Sequence, residues 1–267
     1  MSVKELIAEY GLRPNKALGQ NFLIDENAIE RIVSLALEPG LPLLEIGPGL
    51  GALTYPLAES GLPLAAVELD GALSKILAEK LPENARVVNR DFLKADLKEL
   101  HGLLGGGEIT AVGNLPYYIT SQIVARLVTG GLPIRRMVLM MQSEASERFT
   151  AAPKDKNYVP LTVMSQYLFE ISEALELGPA SYWPQPEVRS RVLVFDRVKD
   201  GLPAGLPRLL KAAFANRRKT LVNNLSALGL PKQAAEGMIL DLGLSASVRA
   251  EELSVREFIR LEAAVRQ

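Results

Sequence analysis

Residues 43–54 read "LLEIGPGLGALT". An apolar run ends on a glycine-rich turn, and a helical pattern opens directly after it. Gly47, Gly49 and Ala52 fit the spacing of a dinucleotide-binding loop. Glu68 lies about 20 residues on, at the end of the next apolar run, where a carboxylate can accept hydrogen bonds from ribose hydroxyls. At this point a nicotinamide enzyme and a methyltransferase fit equally well.

Pro48 separates them. A pyrophosphate is cradled by backbone N–H groups at such a turn, and proline removes one. S-adenosylmethionine (SAM) carries no phosphate and needs only glycines that let its amino-acid end approach the backbone. Glu45 is a poor neighbour for a pyrophosphate but suits the ammonium or sulfonium of SAM. The absence of an evident hydride-transfer acid or base also argues against a dehydrogenase.

Outward from the loop, short apolar runs alternate with helical patterns. Residues 41–47, 63–69, 85–91, 109–114 and 135–141 read as strands. "GALTYPLAES", "DGALSKILAEKL" and "TSQIVARLVTG" read as helices. This alternation predicts an α/β fold with a mostly parallel, Rossmann-like sheet; joined to the Pro48 loop, the expected fold class is the class I SAM-dependent methyltransferase type. "FEISEALELG" and "RSRVLVFDRV" have no helix between them and predict an antiparallel pair at one edge. "KDGLPAGLP" (199–207) reads as a linker. Beyond it the pattern is helical, with "LPRLLKAAFANRRKTLVNNLSAL" placing Phe214, Leu221 and Leu225 on one face. The expected organisation is a catalytic domain over 1–198, a linker over 199–207 and a small all-α domain over 208–267.

Two further stretches carry chemistry. In "NRDFLKADL" (89–97) Asp91 can accept from an adenine exocyclic amine while Phe92 lies beside the base. "VGNLPYYIT" (112–120) ends the fourth strand, beside the first in a doubly wound sheet. An adenine amine has two N–H donors. The Asn114 side-chain oxygen and a backbone carbonyl, at Leu115 or Pro116, can hold both and aim the nitrogen lone pair at the methyl group. Tyr117 can stack on the base, and Pro116 fixes the turn beforehand. Attack is then direct and in-line and needs no general base.

The composition agrees with such chemistry. The 267 residues include no cysteine and one histidine, His101, read as a surface loop residue. Thiol nucleophiles and Cys-based zinc sites are excluded, and His101 as a surface loop residue leaves no histidine for a Ser–His–Asp triad. No stretch is long and apolar enough to span a bilayer, and the start has no signal-type apolar core; a cytoplasmic protein is expected. Net charge is −1, but residues 200–267 hold ten basic against seven acidic side chains. Candidate phosphate contacts are Arg13, Lys16, the "KDK" of 154–156 and the "NRRK" of 216–219.

With these motifs in order, the sequence resembles the rRNA adenine N6,N6-dimethyltransferases of the small ribosomal subunit over nearly its whole length. "LGQNFL" (18–23), "LEIGPGLGALT", "VELD", "RDFLK", "NLPYYI", "MMQSEASERF", "YWPQPEVRS" and "FANRRKTLVNNL" carry the likeness. Ser143 stands where the family usually has a basic residue, and Glu187 and Arg189 reverse its usual charges. The resemblance implies SAM as cofactor, with no metal. Asn21, Leu23, Gly47, Glu68, Asp91 and Asn114 would contact it, and residues 1–24 would close over it. Asn114, Pro116 and Tyr117 would serve the target base. The implied partner is 16S rRNA in the 30S subunit, bound by a monomer through the helical domain. Rival readings are a 23S rRNA adenine methyltransferase of antibiotic-resistance type, a DNA adenine methyltransferase and a non-catalytic assembly factor on the same fold.

Overall fold

The computed structural model describes residues 3–11, 14, 19–37 and 40–266. Arg13 and Lys16 lie outside them. The strands are β1 (Phe22–Leu23), β2 (Leu43–Ile46), β3 (Leu64–Glu68), β4 (Ala85–Asn89), β5 (Ile109–Asn114), β6 (Ile134–Gln142), β7 (Phe169–Leu177), β8 (Tyr182–Trp183) and β9 (Ser190–Arg197). The helices of the first part are α1 (Val3–Tyr10), α2 (Glu26–Ala36), α3 (Thr54–Ala58), α4 (Gly71–Lys80), α5 (Leu97–Leu103), α6 (Thr120–Thr129) and α7 (Ser143–Thr150). They are followed by α8 (Pro160–Leu168), α9 (Leu206–Ala213), α10 (Leu221–Leu225), α11 (Lys232–Asp241) and α12 (Val255–Arg266).

Seven strands form one sheet in the order β4-β3-β2-β5-β6-β9-β7. β4, β3, β2, β5 and β6 run parallel, and β9 is antiparallel to β6. β7 is the edge neighbour of β9, where the sequence places an edge pair. Every residue of β2 and β3 is buried, which is why both read as near-continuous apolar runs, broken only by Glu45 and Glu68, rather than alternating ones. Leu43, Leu64, Val112, Val138 and Val194 share one core cluster with Ile32 and Ala36 of α2. Each such side chain contributes about 1.5–3 kcal/mol relative to exposure. Asp25, Asp70 and Asp96 cap α2, α4 and α5 through their carboxylates, fixing where each helix leaves its loop.

The chain winds outward from β2 through β3 to β4, then returns to the other side of β2 as β5. That reversal leaves a crevice at the carboxyl ends of β2 and β5, where open α/β sheets bind ligands.

The described residues fall into two compact units, Met1–Ser146 with Ile171–Arg197, and Glu147–Glu170 with Val198–Gln267. Residues 147–170, expected in the first domain, therefore join the helical unit. Tyr158 and Val163 are buried in its core with Leu206, Leu210, Leu221, Phe258 and Leu261. The helix expected to run through "FANRRKT" is also interrupted, since α9 stops at Ala213 and α10 starts at Leu221. Side chains compete with the helical backbone there. Asn224 Nδ2 donates to Ala213 O (2.7 Å) and Asn216 O (3.0 Å), and the Thr220 hydroxyl caps α10. Phe214, Leu221 and Leu225 still pack into one core, but from two helices and a turn. His101, read as a loop residue, lies in α5, half-buried, with its ring bonded to Gly107 O at 2.8 Å.

Candidate active site

The turn after β2 approaches the end of β5 very closely. Gly47 has φ +70°, and a Cβ there would stand 3.5 Å from Asn114 O and 3.9 Å from Pro116 Cδ. Those are ordinary contact distances, so the space admits a Cβ; it is the left-handed backbone at Gly47 that favours glycine in the turn packed on the Asn-Leu-Pro segment. Gly49, also left-handed at φ +59°, donates its N–H to Glu68 Oε2 at 2.9 Å. The other oxygen of Glu68 accepts from Asp70 N at 2.8 Å. The carboxylate therefore ties the glycine loop to the end of β3 and still lines the cleft. Burial raises its pKa, and the N–H bonds from Asp70 and Gly49 oppose the shift.

Glu45, one strand position before the loop, is 1% exposed and lines the same cleft. Its Oε2 has no hydrogen-bond partner among the described residues. Burial pushes its pKa up to about 8, Thr54 opposes the shift, and the charge of Glu68 adds to it. A buried acid of this kind keeps its proton at neutral pH and gives it up when a cation is placed beside it.

Asp91 follows β4. Its Oδ1 accepts from Leu93 N at 2.9 Å and its Oδ2 lies 3.8 Å from Lys94 Nζ. It thus closes a turn as well as facing the cleft, and Phe92 beside it is buried and lines the cleft.

Asn114 ends β5. Its Nδ2 donates to Asn21 O at 3.1 Å, and Leu115 N donates to Met140 O at 2.9 Å. Pro116 O accepts from Thr120 Oγ1 (2.9 Å) and Ile119 N (3.2 Å), which fills both its lone pairs. Leu115 O accepts no hydrogen bond among the described residues. Tyr117 is half-buried, with its hydroxyl 3.1 Å from Ser190 Oγ. Burial raises its pKa and Ser190 opposes the rise. Tyr118, which the sequence reading gave no role, is 56% exposed and also lines the cleft.

All nine residues singled out in the sequence line this one cleft: Asn21, Leu23, Gly47, Glu68, Asp91, Phe92, Asn114, Pro116 and Tyr117. Sequence reading missed the partners that hold them. These are Ser190 against Tyr117, Thr120 on Pro116 O, and the two-stranded β1–β8 sheet beneath Asn21. None has a local pattern, because each is defined by a distant strand or a single hydroxyl. Among the described residues, no group of three or more His, Asp or Glu side chains is placed to hold a metal ion. No helix there is long and apolar enough to cross a membrane.

A doubly wound sheet, a glycine loop lacking the N–H of Pro48 and a buried acid lining the cleft beside it fit a class I SAM-dependent methyltransferase. Comparison with known proteins narrows the class. Residues 11–267 match the family described as ribosomal RNA adenine dimethylase. The chain is 39% identical to ribosomal RNA small subunit methyltransferase A of Lactobacillus delbrueckii subsp. bulgaricus, covering 97% of this chain and 93% of that protein. It is likewise 39% identical to the protein of that name in Geobacillus kaustophilus, covering 98% and 94%. Among solved structures it resembles 23S rRNA methyltransferase ErmE, with TM-score 0.68 and 28% identity over 92% of this chain and all of that one. A dimethyladenosine transferase from Plasmodium falciparum shares the fold, with TM-score 0.73 and 22% identity over 90% and 95%. The chain belongs to the ribosomal RNA adenine dimethylase family and is a SAM-dependent rRNA adenine dimethyltransferase.

Proposed function

We propose that the protein dimethylates adenines at N6 in 16S rRNA of the assembling 30S subunit, acting as a cytoplasmic monomer. The observation that carries the reading is the contact between the glycine loop at Gly47 and the Asn114–Pro116 turn. It brings the residues proposed for the cofactor and those proposed for the amine into one cleft, which supports the reading. In this reading Glu68 holds the ribose of SAM, Asp91 and Phe92 hold its adenine, and Asn21, Leu23, Gly47 and Asn114 hold its methionine part. Glu45 faces its positive charge. SAM supplies an electrophilic methyl group.

The target amine is held by two acceptors. One is Asn114 Oδ1. The other is Leu115 O, since Pro116 O is already filled by Thr120 and Ile119. Pro116 fixes the turn, and Tyr117, anchored on Ser190, stacks on the base, which offsets part of the cost of unstacking it from RNA. The nitrogen lone pair attacks the methyl carbon in line, and the proton it sheds leaves to solvent.

RNA phosphates would meet exposed Lys154, Lys156, Arg218 and Lys219 of the helical unit. Arg217 has a different task. It donates to Glu251 Oε2 (2.7 Å) and to the carbonyls of Lys156 (2.6 Å) and Asp155 (3.3 Å), so it joins the two basic segments rather than binding phosphate.

The relatives named for the small subunit favour 16S over 23S rRNA. The test is transfer of labelled methyl from SAM to undermethylated 30S subunits, naked 16S RNA, 50S subunits and duplex DNA. Label confined to 30S and recovered as dimethyladenosine is expected. Label on large-subunit RNA would move the protein to the resistance-type reaction. No label anywhere, despite SAM binding, would make it a non-catalytic factor.

A further inference from the structure

The orientation of the Asn114 amide is set from outside its own strand. A backbone carbonyl can only accept, so Asn21 O compels the Asn114 amide to present its nitrogen there. The amide is planar, and its oxygen must then point the opposite way. Asn21 in turn belongs to a short arm whose position depends on a distant segment. Its Nδ2 donates to Gly19 O at 3.2 Å, and β1 follows at once. β1 pairs antiparallel with β8, Phe22 opposite Trp183 and Leu23 opposite Tyr182. The Phe22 and Trp183 rings stack, 6.4 Å between centroids and 16° between planes. Ile24 N donates to Ser181 O at 2.9 Å, and the Ser181 hydroxyl donates to Asp25 Oδ2 at 2.8 Å. β8 is itself fixed on the sheet, since the Tyr182 hydroxyl donates to Met140 Sδ at 3.0 Å. Met140 O receives Leu115 N.

We propose that Trp183, which does not line the cleft, is a positioning residue for methyl transfer. By clasping Phe22 it holds the Asn21 carbonyl against Asn114, so that the amide oxygen, not the nitrogen, faces the methyl-accepting amine. The proposal rests on the assignment of Asn114 to the acceptor site. An amide free to flip would offer the amine a donor instead of an acceptor for part of the time. The larger loss falls on the chemical step, because loosening the arm weakens only the Asn21 and Leu23 contacts with SAM, while Gly47, Glu68 and Asp91 keep theirs.

The experiment compares wild type, Trp183→Ala, Trp183→Leu and Trp183→Phe. Steady-state methyl transfer to undermethylated 30S subunits is measured beside SAM affinity by calorimetry. Expected for Trp183→Ala is a fall in kcat of about tenfold, the scale on which a small misplacement of a reacting group acts. SAM affinity should stay within about threefold, and Trp183→Phe should restore kcat. Trp183→Leu, which keeps apolar bulk without the ring, should behave like Trp183→Ala and serves if the alanine variant does not fold. Unchanged kcat in either variant overturns the proposal. Equal losses in kcat and SAM affinity also overturn it, by making Trp183 part of cofactor binding. An inactive wild type would fail the proposed function itself, a result distinct from either.

Discussion

Replacing Glu45 by Gln separates a buried acid from an ordinary core contact. Glu45 is 1% exposed, and its pKa moves from 4.5 to about 8, chiefly through burial. In the unfolded chain the carboxyl loses its proton near pH 4.5. Between pH 4.5 and 8 the folded protein therefore keeps a proton that the unfolded chain has released. Stability falls as pH rises through that window, by about 1.4 kcal/mol per pH unit. The accumulated loss reaches about 5 kcal/mol above pH 8. The Glu45→Gln variant carries no such proton. Urea unfolding of both proteins, followed by fluorescence of Trp183, reports on the unit that contains Glu45, since the chain has a single tryptophan. The variant should gain on wild type by about 1.4 kcal/mol for each pH unit between 5 and 8. Parallel stability curves over that range would refute the reasoning, because they would mean that Glu45 is ionised and compensated. The same group predicts that SAM, a cation, draws Glu45 toward its charged form on binding. Proton release per SAM should then approach one near pH 7, measured by calorimetry in buffers of different ionisation enthalpy.

Three further outcomes are expected. Asn114→Ala should abolish methyl transfer while most SAM binding survives, read by labelled-methyl assay beside calorimetry; retention of both would remove Asn114 from the site. Gly47→Ala places a Cβ at φ +70°, 3.5 Å from Asn114 O, and should cost about 1–2 kcal/mol in unfolding free energy with a loss of SAM affinity. Asn224→Ala leaves Ala213 O and Asn216 O without their donor and should cost about 1–3 kcal/mol while SAM affinity is unchanged.

Much of the first unit is legible in the sequence because its strands are buried on both faces. Continuous apolar runs such as 63–69, each followed by a helical pattern, leave few alternatives. The cleft residues are legible for a related reason. Gly47, Glu68, Asp91 and Asn114 all sit at or just beyond strand ends, and strand ends can be counted. What is not legible depends on pairing across the chain. β1 and β8 are two residues each, too short for any period to show, and exist only because they meet. The break between α9 and α10 is hidden likewise. "FANRRKT" has helical periodicity, and the buried Asn224, reaching back to two carbonyls, together with the Thr220 cap, breaks the helix there. Which carbonyl is open to the amine, Leu115 or Pro116, depends on a single hydroxyl at Thr120.

The division into units has a consequence for dissecting the protein. The chain leaves the catalytic unit after Ser146, returns at Ile171 and leaves again after Arg197. A polypeptide stopped at residue 198 would keep Tyr158 and Val163 but lose the helices among which they are buried. It would expose Tyr158 and Val163 to water and invite self-association. Isolating either half as a soluble fragment therefore requires excising residues 147–170 with the carboxyl-terminal helices and rejoining the catalytic chain across the gap.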